Sequence, residues 1–241
     1  QTISHTDEFS LRAGSPQTIA KESGIPVFAD FRNFDIANGG KGAPLIPLFH
    51  QFLLSDEAKS KLIFNIGGIA NGTYLKGNEI ELASDVGPGN CLMDTAMRKL
   101  GLGLFDKDGA LARSGKIDNA ILKLFMKELE NLSYPRADDI SVYMNIFERY
   151  ESEILNIDPA DVLCSLTEVT ATKIIEFINS CDHVDELIFH GGGTENKYLM
   201  SRIKESVSIE VKSIDHIAPS KYIEAIAFAY LAFKERAILF K

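Results

Sequence analysis

Three stretches of this chain set glycines at the end of an apolar run or beside one: Asn65-Ile-Gly-Gly-Ile-Ala-Asn71, Asp85-Val-Gly-Pro-Gly-Asn90 and His190-Gly-Gly-Gly-Thr-Glu-Asn196. Glycine at a strand end lets the backbone approach a ligand closely and frees N–H groups to face phosphate oxygens. Where a helix follows, its N-terminal dipole favours the same anion. A single glycine pair is more often only a tight turn. Three, each beside an asparagine or aspartate, together suggest a nucleotide cradle. None carries the Walker pattern or the dinucleotide fingerprint, which disfavours a P-loop or Rossmann enzyme.

The runs around these turns set the expected fold. Leu62–Ile66, Thr73–Leu75 and Glu79–Ala83 read as strands, with Lys76-Gly-Asn78 as a hairpin turn between the last two. Asp85–Asn90 leads into a helix ending near Gly101. Lys116 to Leu155 is helical in composition, and Asp158-Pro159 opens a clear helix with Asp158 as N-cap. Glu186–His190 is a buried strand and Ile209–Val211 a short one, and a last helix spans about Lys221 to Ala237. Earlier, Ile25–Ala29 is a strand feeding a polar loop, and a helix covers Leu45 to Leu54. Strands alternating with helices imply an α/β architecture with a mixed sheet flanked by helices.

Composition narrows the classes. Of 241 residues, 45% are hydrophobic and 24% charged, enough apolar material for a substantial core. The net charge of −9 argues against a generic nucleic-acid surface. No apolar run reaches the roughly 20 residues that span a bilayer, so no membrane partner is expected. Cys91, Cys164 and Cys181 lack zinc or disulfide spacing, which favours a reduced, cytoplasmic protein. The histidines have no metal-ligand spacing, and any metal is expected to be Mg2+ carried with a nucleotide. The chain opens on Gln1 rather than Met, and preceding material is expected to be missing.

Two acidic positions carry candidate chemistry. Asp30 stands at the exit of a buried strand, beside Arg32 and Asp35, where a carboxylate can serve as a general base; an ordinary Asp–Arg pair or a turn cap fits the same residues. Glu224 lies in a helix that is apolar on nearly all sides, which is costly unless the carboxylate is paired or faces a cleft; first-turn placement on the helix dipole is the plainer alternative.

Taken as a set and in order, these motifs resemble the anhydro-N-acetylmuramic acid kinase family. The resemblance runs through Gln1-Thr-Ile-Ser-His5, Ala29–Arg32 with Asp35, Gly39-Gly-Lys-Gly-Ala-Pro-Leu45, the three glycine stretches, Phe105-Asp-Lys-Asp-Gly109, Leu166-Thr-Glu168 and Tyr222-Ile-Glu-Ala225. It implies an actin-like ATPase (ribonuclease H-like) fold whose two lobes close over ATP. Residues 1–60 would be the remainder of the N-terminal lobe and the segment between lobes, and residues 61–241 the C-terminal ATPase lobe. The implied reaction opens 1,6-anhydro-N-acetylmuramic acid with water and phosphorylates its 6-hydroxyl, in peptidoglycan recycling. By the same resemblance Asp30 is the base that activates water, while His5, Arg32 and Glu224 bind the sugar. Asn65, Gly67, Gly68, Asn71, Asp85, Gly87, Gly89 and Asn90 take the phosphate side. Gly191, Gly192, Gly193 and Asn196 take the adenosine side. A homodimer is also implied.

Two departures stand out. The family's opening Gly-Thr-Ser-x-Asp-Gly phosphate loop is absent, and Tyr134-Pro-Arg-Ala-Asp138 replaces its Pro-Lys-Ser-x-Gly segment. The chain by itself is therefore expected to be inactive or nearly so. Two rival readings remain: another actin-like sugar kinase or phosphatase, separable by ADP release across several sugars, and a non-catalytic ATP-binding or assembly module, separable by sedimentation with and without ATP.

Overall fold

The computed structural model describes residues 2–6, 8–130 and 133–241, with residues 2–5 described by backbone alone. The chain divides into two compact units, one of residues 1–53 with 222–241 and the other of residues 54–221. The sequence division drawn near residue 60 gave the C-terminal helix to the second lobe; by contacts that helix belongs with the first fifty residues.

The first unit begins with a two-stranded antiparallel ribbon of β1 (Thr2–His5) and β2 (Ser10–Arg12). Helix α1 (Pro16–Ser23) starts on Ser15, whose hydroxyl accepts the Thr18 N–H, and has proline in its first turn. It leads to β3 (Val27–Ala29), α2 (Phe31–Ala37) and α3 (Pro47–Leu54). The Asp30–Asp35 cluster, expected as a loop, is thus mostly the helix α2.

The second unit is built on β4 (Ser60–Ile66), β5 (Ile69–Lys76), β6 (Glu79–Pro88), α4 (Cys91–Lys99), α5 (Ala110–Ser114), α6 (Asn119–Glu128), α7 (Ile140–Arg149), α8 (Glu151–Leu155), α9 (Pro159–Ser180), β7 (Glu186–His190), α10 (Lys197–Ser206) and β8 (Val211–Ser213). Its strands run in the order β6-β5-β4-β7-β8, antiparallel on the β4–β5–β6 side and parallel on the β4–β7–β8 side. This is the mixed sheet that the alternation predicts. β6 runs on to Pro88, through residues expected to form a loop.

Asp158 caps α9 by accepting the Ala160 N–H at 2.9 Å, with Pro159 in the first turn. The helix then buries Leu163, Leu166, Ile174 and Phe177 against the sheet. Phe64 stacks on Phe189 at 4.9 Å between ring centroids and meets Phe177 edge-on at 5.9 Å. Burying such rings contributes about 1.5–3 kcal/mol each.

The chain returns to the first unit with α11 (Ile223–Phe233) and β9 (Ile238–Phe240). The last strand was not expected from the sequence; it pairs antiparallel with β3, Phe28 opposite Leu239. Phe31 packs edge-on against Phe228 at 5.0 Å, beside the buried Leu231 and Ala237.

Candidate functional site

In the second unit the three glycine-rich strand ends meet. Gly67 and Gly68 form the turn between β4 and β5, while Gly89 and Asn90 join β6 to α4. The two turns are laced together: Gly89 N–H donates to Gly68 O at 2.9 Å, Asn90 N–H to Gly67 O at 2.8 Å and Cys91 N–H to Gly68 O at 3.1 Å. A Cβ on Gly89 would lie 2.3 Å from the Gly67 oxygen, so that position needs glycine for close backbone approach.

The third turn closes on the same place. Gly191 has φ +90°, and a Cβ there would lie 2.3 Å from Asn65 Oδ1; one on Gly193 would lie 2.2 Å from Ile66 Cγ2 and 3.1 Å from Asn90 Oδ1. Segments more than a hundred residues apart thus share one small region at the β4 and β7 ends.

One expectation needs correction. The N–H groups of Gly67, Gly89, Asn90 and Gly191 do not stand free for an anion: they donate to Ile69 O, Gly68 O, Gly67 O and Ser220 Oγ respectively. Most of these glycines serve backbone packing. Gly192 is different, since a Cβ on it would meet nothing within 4 Å, and at Gly68 it would meet only Ile140 Cδ1, at 3.2 Å.

Beside this junction lies a cavity of about 340 Å³. Asn90, Met93 and Asp94 at the start of α4 line one side, and Gly192, Glu195 and Asn196 another. Phe105, Asp106 and Asp108 complete it, from a segment that the sequence marked without giving it a role. Asp106 accepts the Leu111 and Ala112 N–H groups at 3.0 and 2.9 Å, and Asp108 pairs with Lys197 Nζ at 3.0 Å. Asn196 Oδ1 caps α10 by accepting the Leu199 N–H at 3.0 Å. Burial pushes the Asp94 carboxyl up, against a weaker opposing pull from Arg98.

Several expected site residues lie elsewhere. Asn71 sits within β5, in register with Asn65 and Asp85. Asp85 Oδ2 accepts the Asp138 N–H at 2.7 Å, while Arg136 reaches Asp138 Oδ2 at 2.8 Å and Val86 O at 2.7 Å, so Asp85 anchors the divergent 134–139 segment. Gly87 packs against α9, where a Cβ would come 2.9 Å from that of Lys173. His190 is buried at the end of β7, and burial pushes its imidazole down to about 4, leaving it neutral near pH 7.

The first unit holds the other candidates. Asp30 adopts a left-handed conformation, φ 59° and ψ 35°, at the start of α2 without capping it. Such backbone is unusual outside glycine and concentrates where side-chain placement matters. Asn33 Nδ2 donates to Asp30 Oδ1 at 2.6 Å and to Ser10 O at 2.9 Å, and Asn33 Oδ1 accepts the Ser10 N–H at 2.7 Å. Asn33 therefore clamps Asp30 to β2, a role that the sequence gave no signal for.

Asp35 Oδ2 accepts the Gly42 N–H at 2.8 Å and fills the space that a Cβ on Gly40 would need. Arg32 reaches Gly42 O at 3.4 Å. Glu224 is exposed in the first turn of α11, so the burial cost anticipated for it does not arise. The side chain of His5 lies outside the described residues.

A model of the family described as anhydro-N-acetylmuramic acid kinase matches residues 1–239. The chain belongs to that family. It is 39% identical to the anhydro-N-acetylmuramic acid kinase of Shewanella amazonensis and 40% identical to that of Shewanella sp. strain ANA-3, over 97% of this chain in both cases. It spans 66% of the length of these curated relatives.

Among solved structures, the activator of the 2-hydroxyisocaproyl-CoA dehydratase from Clostridium difficile with bound ADPNP superposes with a TM-score of 0.51 at 14% identity, over 80% of this chain and 65% of that one. That likeness concerns the fold alone, which is the actin-like ATPase fold. For this member of the kinase family, no helix among the described residues is long and apolar enough to cross a membrane. Nor do three His, Cys, Asp or Glu side chains gather to hold a metal among the described residues.

Proposed function

We propose that the protein is an ATP-dependent kinase that opens 1,6-anhydro-N-acetylmuramic acid with water and phosphorylates its 6-hydroxyl, giving N-acetylmuramic acid 6-phosphate for peptidoglycan recycling. The observation that carries this reading is the family match along 1–239, read together with the cavity where the three glycine turns meet. The cavity's size suits a nucleoside, and its lining of Met93, Phe105 and a few polar groups is the usual make-up of such pockets. ATP, when bound, supplies the phosphoryl group, and Mg2+ is read as arriving with it and keeping most of its waters. Gly192 and Asn196 then bind the adenosine end, and Gly68 lies on the phosphate side.

Asp30 is the base in this reading. Asn33 holds one carboxylate oxygen, so the other can take a proton from the water that attacks the anomeric carbon. Arg32, His5 and Glu224 are assigned to the sugar on the family resemblance. A homodimer and a reduced, cytoplasmic setting belong to the same reading; Cys91, Cys164 and Cys181 are all free thiols.

Positioned general-base assistance contributes roughly 10²–10⁴-fold. Asp30→Asn is therefore expected to lower turnover by at least about 100-fold in an ADP-release assay with the anhydro sugar, while nucleotide binding stays at the wild-type level. Near-normal turnover in that variant overturns the role of Asp30. Equal activity on unrelated sugars favours a broader sugar kinase.

A further inference from the structure

We propose that Asn33 is a positioning residue for the general base: its carboxamide fastens Asp30 to the β2 position that pairs with His5, so that the base and the ribbon assigned to the sugar keep one spacing during turnover. This rests on reading Asp30 as the base, and adds that turnover depends on Asn33 acting through it.

A carboxamide offers an acceptor and two N–H donors in one plane. All three are engaged here. Asn33 Oδ1 accepts the Ser10 N–H at 2.7 Å, while Nδ2 donates to Ser10 O at 2.9 Å and to Asp30 Oδ1 at 2.6 Å. Ser10 is only 6% exposed, so its backbone groups need a protein partner, and Asn33 takes the place that a further strand would fill. Across the ribbon, Ser10 stands opposite His5. One side chain thus joins the residue facing His5 to the carboxylate of Asp30.

This is more than a tie between two elements. A carboxylate just before a helix ordinarily caps it by accepting an amide of the first turn. Asp30 precedes α2 and accepts none. Its backbone instead takes the sparsely populated left-handed conformation, and its carboxylate accepts from Asn33. The fold turns Asp30 away from the use that local structure would make of it, and Asn33 fixes where one oxygen lies. Three residues on, Asn33 shares a helix face with Asp30, within reach of both partners.

ADP release with ATP and the anhydro sugar is measured for the wild type, Asn33→Ala, Asp30→Asn and the double variant, with thermal melts to confirm folding. Asn33→Ala is expected to lower kcat about 10–100-fold, the effect of a displaced base, with KM for ATP unchanged. Asn33→Asp keeps the shape but cannot donate; it is expected to do the same, and carries the test if the alanine variant melts early. Adding Asn33→Ala to Asp30→Asn is expected to cost nothing further, since a residue acting through another adds no loss once that other is gone. The clamp is also read without turnover: in the 15N-labelled chain the Ser10 amide is expected to exchange with solvent about tenfold faster in Asn33→Ala.

Full turnover in both Asn33 variants overturns the proposal and leaves Asp30 as the base. So does a loss in the double variant equal to the product of the two single losses, which makes Asn33 a structural residue only. Unchanged Ser10 exchange overturns the clamp itself. If Asp30→Asn keeps near-normal turnover, the reading of Asp30 fails and the proposal fails with it.

Discussion

The two units of this chain reach stability by different means. The second wraps a five-stranded sheet in helices and buries Phe64, Phe125, Phe147, Phe177 and Phe189 to 1% exposure or less. The first holds only two-stranded sheets among its described residues, packs a small cluster around Phe31 and Leu231, and leaves Phe233 81%, Ile25 65% and Ile19 57% exposed. Two-stranded ribbons are marginal in water without a partner surface. The difference separates two kinds of candidate site. In the second unit the amides of Gly67, Gly89 and Gly191 are each taken up by a neighbouring acceptor. In the first, Asp30 is held by a single asparagine and a left-handed backbone.

Core truncation gives the largest expected contrast. Phe64→Ala should cost about 3–5 kcal/mol, through lost burial and the cavity left between Phe177 and Phe189. Phe233→Ala, at a mostly exposed position, should stay within about 0.5 kcal/mol. Urea unfolding of both variants checks this. A cost for Phe233→Ala near that for Phe64→Ala would mean that the first unit has a core comparable to the second.

Acid comes next. The buried imidazole of His190 has its folded-state value lowered from 6.5 to about 4. Between those values the unfolded chain takes up a proton that the folded chain refuses, so stability is intact above pH 6.5 and falls as the pH drops toward 4. The loss is worth up to about 3 kcal/mol and should appear as a falling unfolding midpoint of the second unit. His190→Gln should remove it over that window. An unchanged pH profile in that variant would assign acid sensitivity to other groups.

A paired glycine test is smaller but sharper. Gly193→Ala drives a methyl into Ile66 and should cost about 1–3 kcal/mol. Gly192→Ala, next in the chain but facing open space, should leave stability nearly unchanged while weakening whatever the cavity binds. Thermal melts and a nucleoside titration separate the two effects. Equal destabilisation would mean that both glycines serve packing alone.

Much of this was legible in the sequence because the signals were local. Asp158-Pro159 announced α9 through capping chemistry, and the apolar run Glu186–His190 announced a buried strand. The glycine turns marked strand ends, and their order matched one family. β9 was not legible: Ile238–Phe240 is three residues long and becomes a strand only because β3 pairs with it. Asn33 gave no signal, since its clamp on Asp30 depends on Ser10, 23 residues away in sequence. Asp94 was not singled out from the sequence, and only the fold sets it in the cavity wall.

By itself, then, the sequence determined the mixed α/β architecture, the family and the positions of the glycine turns, because propensity, capping and periodicity act over a few neighbouring residues. The tertiary structure alone decided which amides remain available, which carboxylates hold backbone amides and how Asp30 is held. Those properties depend on what distant segments place within hydrogen-bond reach, and no local pattern records that.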